Sequence, residues 1–196
     1  NIKIAMVPLV RSGQLGLDER NAFLASMTAE VAALCVRNNY SQSLALSVAE
    51  HRGLSELPDH LALMAALEER GSLNRGVEFL ADDVTLLQRG RGLTRPELAV
   101  LLAYAKLELK ADLLATGVTD DPYLSKELYR YFPESLVDAW PASIEGHRLR
   151  REVIATVLAN AMINRGGPAF VSELVGATSA DAGEVAAAYA AARDAF

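Results

Sequence analysis

Cysteine is almost missing: Cys35 is the single one in 196 residues. That excludes an intrachain disulfide and would force any zinc site to lean on other ligands. Histidine is scarce too, and His51, His60 and His147 are too scattered to read as a metal set. No apolar run reaches the roughly 18 residues that a membrane-spanning helix requires, and no signal peptide is legible. A positive balance is also lacking, since 19 Lys and Arg stand against 25 Asp and Glu, for a formal net charge of −6. Broad binding to nucleic acid or anionic membrane needs the opposite field. A reducing, cytoplasmic setting fits these absences best. Cys35, among the apolar neighbours of VAALCVRN, is expected to be a buried, inert thiol.

Hydrophobic residues make up 51% of the chain and charged ones 22%, enough to build a core in one domain. The chain opens in mid-pattern at Asn1 and is therefore expected to be a piece of something longer. Strand-like alternation is confined to Ile2, Ile4 and Met6, and one strand cannot make a sheet. Helical spacing governs the remainder, so the expected fold is all-α, an irregular multi-helix domain.

Its centre is predicted at about Thr94–Leu114. Thr94 and Glu97 have capping-box spacing, and Pro96 falls in the first turn, where its missing N–H removes no helix bond. Leu98, Leu101, Leu102, Ala105 and Leu109 then form one stripe, flanked by Val100, Tyr104 and Leu107. A helix apolar over so much of its circumference must be buried on several sides. Around it the sequence predicts helices over Leu17–Ser26, from Thr28 towards His51, from Pro58 to Leu67, and after Asp82. Further helices are expected near Leu124–Tyr129, over Ser143–Asn164, and in an alanine-rich last stretch capped by Thr178 or Ser179. The polar NNYSQS is expected to bend or break the second of these, and RGRG (89–92) to be a mobile connector.

Catalytic spacings are missing. There is no G-x-G-x-x-G, no G-x-x-x-x-G-K, no H-E-x-x-H and no G-x-S-x-G. Neighbouring acids such as Glu68–Glu69, Asp82–Asp83 and Asp120–Asp121 read as solvated or capping groups. The cluster with some claim to a role is HRLRRE (147–152). Arg148, Arg150 and Arg151 point around a helix rather than to one side, which marks a salt-bridged or interdomain surface more than an anion site. On the same helix Asn160 is expected as a buried amide and Asn164 near its C-terminal end.

Taken in order, NIKIAMVPLV, LDERNAFLASMTAEVAALCVRNNYSQSLALS, GRGLTRPELAVLLAYAK, LYRYFPESL, HRLRREVIATVLANAMINRGGPAFV and AAAYAAARDAF resemble the C-terminal region of the large bacterial NAD-specific glutamate dehydrogenases. The resemblance covers nearly the whole chain and rests on long segments, not on a catalytic motif. It implies a parent enzyme that deaminates L-glutamate to 2-oxoglutarate and ammonia with NAD. It also implies that the substrate lysines, the acid/base aspartate and the dinucleotide fold lie upstream. With only Lys3, Lys106, Lys110 and Lys126 present, none beside a glycine-rich turn, no catalytic, cofactor-binding or metal residue is assigned here. Residues 1–16 are expected to lead in from the catalytic core, and 17–196 to form a single helical domain for assembly or regulation. Its implied partners are the upstream catalytic domain and other copies of the enzyme, with no nucleic acid or membrane. The competing expectation is an independent all-α interaction module without activity.

Overall fold

The capping box closes as its spacing predicts. The Thr94 amide and hydroxyl both donate to Glu97 Oε2 at 2.8 Å, and Arg89 holds the other carboxylate oxygen at 2.6 Å. From this start the helix runs Arg95–Thr116 and ends on Gly117, whose φ of +76° favours glycine at a helix C-terminus. Its inward face is Leu98, Leu101, Leu102, Ala105, Leu109 and Leu113, all buried.

A computed structural model gives the fold of residues 1–195, all of it helices and turns. In chain order the helices are Ile2–Arg11 (α1), Leu17–Ser26 (α2), Thr28–Arg52 (α3), Leu57–Glu69 (α4), Arg75–Glu78 (α5), Asp83–Gln88 (α6) and Arg95–Thr116 (α7). There follow Lys126–Tyr131 (α8), Glu134–Ala139 (α9), Pro141–Glu145 (α10), Arg150–Gly166 (α11), Phe170–Thr178 (α12) and Ala182–Ala195 (α13). The last residue of the predicted final helix, Phe196, lies outside the described residues. Helices α7 and α11 form the most extensive pair; α3, α4 and α13 close on α7, and α8 and α12 on α11.

Several expectations are corrected. The alternating Ile2, Ile4 and Met6 are part of α1, because Ile2, Ala5, Met6 and Leu9 also have helical spacing and that face is the one packed inward. NNYSQS does not break α3, which continues for 25 residues. Asn38, Asn39 and Ser43 face solvent, and the half-buried Ser41 hydroxyl is satisfied by the Arg37 carbonyl four residues back. The predicted Ser143–Asn164 helix is instead two, α10 and α11, separated by a turn around His147. The last helix begins later than expected, with Asp181 as its cap: the Glu184 amide donates to Asp181 and the Asp181 amide to Glu184. Leu107, assigned to a covered flank, is 64% exposed. Within RGRG, Gly92 sits against the backbone of Gly53, where a Cβ would meet the Gly53 carbonyl at 2.5 Å. That half of the loop is a close-packed contact.

Four shielded polar atoms lack a hydrogen-bond partner among the described residues, and one of them is a lysine amine. Lys106 Nζ on α7 is shielded from solvent without a hydrogen bond, and burial lowers its pKa to about 8. Between that value and the ordinary lysine range of about 10.4, the unfolded chain binds a proton that the folded chain does not. Stability contributed by this site therefore rises as pH climbs through that window. Lys106→Met should raise Tm at about pH 7, and its advantage should shrink as pH is raised past the Lys106 pKa. Differential scanning calorimetry across that range checks it; an unchanged gap would mean that the amine is not the cause.

Candidate functional site

The three arginines singled out from sequence do not converge. Arg151 Nε lies 3.2 Å from both Thr119 Oγ1 and Asp120 Oδ2, and its Nη2 donates to the Leu114 carbonyl at 3.2 Å. It thus meets the negative C-terminal end of α7, which offsets its own unfavourable place in the first turn of α11. Arg148 is exposed and Arg150 half-buried, with no ion pair among the described residues. His147, between α10 and α11, is buried: its Nδ1 accepts from the Leu149 amide at 3.1 Å, so Nε2 is the nitrogen that donates to the Asn1 carbonyl, also at 3.1 Å. Arg151→Ala should cost about 1–3 kcal/mol, from one exposed ion pair and two modest hydrogen bonds. A urea titration reads it, and no loss would remove the tie to α7.

A second charged constellation was not legible in sequence. Glu127 on α8 is completely buried and is held by Arg130 Nη1 at 2.6 Å and Arg193 Nη2 at 2.5 Å. Arg193 also reaches the second Glu127 oxygen, at 3.2 Å. Next to it Asp194 accepts from Lys126, from Arg130 at 3.0 Å, from Arg193 at 3.2 Å and from the Tyr123 hydroxyl at 3.1 Å. Lys126 foremost, then Arg130, holds the Asp194 carboxyl well below the usual carboxylate range. The Glu127–Arg130 spacing of i,i+3 was visible, but Arg193 comes from α13, 66 residues on. The cluster fastens α13 to α8 and contains three cations against two carboxylates.

Two of those cations, Arg130 and Arg193, line a cleft of about 1080 Å³. One wall comes from the start of α1, the end of α2 and α3; the other from α8, α11 and α13. Its apolar floor includes Leu24, Val31, Leu34, Val157 and Ala161. Cys35 is on this wall and exposed, which corrects the buried thiol expected above. The reason is that α3 buries only Ala45 and Ala49; Val36, Tyr40, Leu44 and Val48 along it are uncovered as well. Asn160 and Asn164 also line the cleft, half-buried, and Asn164 Oδ1 is shielded without a partner. Among the described residues no three His, Cys, Asp or Glu side chains come together as a metal site. No helix among them is long and apolar enough to cross a membrane.

Residues 90–196, more than half of the chain, match the family of glutamate dehydrogenase C-terminal regions. The chain belongs to that family. Residues 1–49, which hold α1, α2 and most of α3, match the catalytic domain of bacterial NAD-glutamate dehydrogenase. The two walls of the cleft therefore fall in different family matches. Among similar curated proteins is the NAD-specific glutamate dehydrogenase of Pseudomonas aeruginosa, 42% identical over the whole of this chain. The enzyme of the same name from Halomonas elongata is 40% identical over the whole chain, and that from Mycobacterium tuberculosis 37% over 93% of it. The chain spans about 12% of the length of these relatives. No solved structure matches it.

Proposed function

We propose that this chain is a non-catalytic helical region, serving assembly or regulation, of an NAD-dependent glutamate dehydrogenase that converts L-glutamate to 2-oxoglutarate and ammonia. The observation that carries the reading is the uncovered face of α3, Val36 to Val48, within the stretch that matches the catalytic-domain family. An apolar stripe of that length is what a helix presents to a neighbouring body. In this reading residues 1–16 lead in from the catalytic core and 17–196 form the helical domain, with the catalytic-family match continuing through the first of its helices. NAD and glutamate bind upstream, other copies of the enzyme are the partners, and the setting is cytoplasmic. Arg148, exposed, and Arg150, half-buried, beside the α10–α11 turn, belong to a surface between domains or copies.

The charged groups support this division of labour. Hydride transfer from glutamate needs a base placed against the amino group and a cradle for the dinucleotide phosphates. The densest charge here, around Glu127 and Asp194, is spent on holding α8 to α13. The test is to assay the chain for NADH production with saturating glutamate and to titrate it with NAD by calorimetry. Silence in both is expected; turnover that copurifies with the chain would overturn the reading. Immunodetection of the native polypeptide should find a protein several times longer. A free-standing 196-residue product would favour an independent interaction module.

A further inference from the structure

The cleft between α3 and α11 combines three features that do not ordinarily occur together. Its floor is apolar, its charged lining is entirely basic, and it lies in a protein with a net charge of −6. Among the described residues no aspartate or glutamate lines it, whereas Lys3, Arg37, Arg130, Arg165 and Arg193 do. Arg130 and Arg193 are fixed by Glu127 and Asp194, but that cluster, with Lys126, has one more cation than carboxylate. Lys3, Arg37 and Arg165 are exposed and have no ion pair among the described residues. Lys3, Arg37 and Arg165 thus leave uncompensated positive charge at the mouth of a space walled by leucine, valine and alanine.

We propose that this cleft binds a small amphipathic anion, a carboxylate with an apolar body. The apolar body lies against Leu34, Val157 and Ala161, and the carboxylate meets the arginines, whose planar guanidinium groups suit it better than ammonium groups would. The cleft's volume is just above the usual range of small-molecule sites, which are mostly apolar with a few placed polar groups. Because one wall matches the catalytic domain and the other the C-terminal family, such a ligand bridges the two regions and can bias how they sit together. That coupling rests on the function proposed above; binding itself does not.

Cys35 supplies the test, since it is exposed and lies on the cleft wall. The full-length protein is treated with iodoacetamide, and alkylation of the Cys35 peptide is followed by mass spectrometry with and without octanoate, octanol or octylammonium. Octanoate at millimolar concentration should slow alkylation at Cys35 by about tenfold, and the neutral and cationic analogues should not. Arg37→Glu and Arg165→Glu, both on the exposed rim and outside the Glu127 cluster, should each weaken that protection by about tenfold. Equal protection by octanol would reduce the cleft to a nonspecific apolar surface and overturn the proposal. So would reactivity untouched by octanoate, or a Cys35 already unreactive without ligand, which would mean that another part of the polypeptide fills the space. Failure of the enzymatic reading would be seen separately, as absent turnover in the same preparation.

Discussion

Glu127→Ala is expected to destabilise the chain by about 3–5 kcal/mol, the range for breaking a buried pair from one side. The carboxylate is wholly buried and makes charge-assisted bonds to Arg130 and Arg193. Removing it leaves three cations around Asp194 alone, with Arg193 only 13% exposed and unable to turn fully into water. Glu127→Gln keeps shape and part of the hydrogen bonding while deleting the charge, so its loss should be smaller. Arg193→Met together with Glu127→Met should recover much of the stability, since an apolar pair demands no compensation. Urea unfolding of the three variants reads the comparison. Glu127→Ala equal to the parent would show that the pairing contributes nothing to holding α13. Acid should act through the same cluster. The Asp194 carboxyl is depressed in the folded state, so its contribution is present above the ordinary aspartate range and is lost as pH falls below it towards the folded value.

What could be read from the chain divides along the range of the interactions. The start and inner face of α7 were legible because the Thr94–Glu97 box and the leucine stripe are both settled within a few residues. The same holds for the cap at Asp82, whose carboxylate accepts from the Thr85 amide at 2.8 Å. The identity of α1 was not, because Ile2, Ile4 and Met6 satisfy a strand period while Ile2, Ala5, Met6 and Leu9 satisfy a helical one. Tertiary packing chose the second: the Ser143 hydroxyl of α10 donates to the Ala5 carbonyl, and α1 lies against α10. The break between α10 and α11 turns on His147 reaching Asn1, 146 residues away, and no local pattern announces it.

The candidate cleft was hidden for the same reason and for one more. Its arginines are spread from position 37 to 193, so the basic lining is invisible in a chain whose overall balance is acidic. Its floor depends on α3 remaining uncovered, and periodicity records which residues are apolar, not whether anything packs on them. Cys35 shows the consequence: apolar neighbours argued for burial, but Ala32, Ala33 and Val36 are exposed and Val31 and Leu34 only half-buried.

Leu101→Ala should cost about 2–5 kcal/mol, whereas the same change at Leu107, one and a half turns along α7, should be within about 0.5 kcal/mol of the parent. Leu101 is 0% exposed and Leu107 64%, so the pair separates burial from helix propensity on one element. Truncation removes three carbons, which by transfer alone is about 2.4 kcal/mol at roughly 0.8 kcal/mol each. A residual cavity adds to this where the walls cannot close in. They are constrained here, because α7 is packed by α11, α3, α4 and α13, and movement towards a void at Leu101 would disturb contacts elsewhere. Thr94→Ala provides an intermediate case on the same helix: losing the threonine side of the cap should cost about 1 kcal/mol. Each kcal/mol should lower Tm by about 2–4 °C in a chain of this size. The expected order of midpoints in urea is therefore Leu107→Ala, Thr94→Ala, then Leu101→Ala at the lowest denaturant. Leu101→Ala indistinguishable from Leu107→Ala would mean that α7 is not the packed centre of the fold.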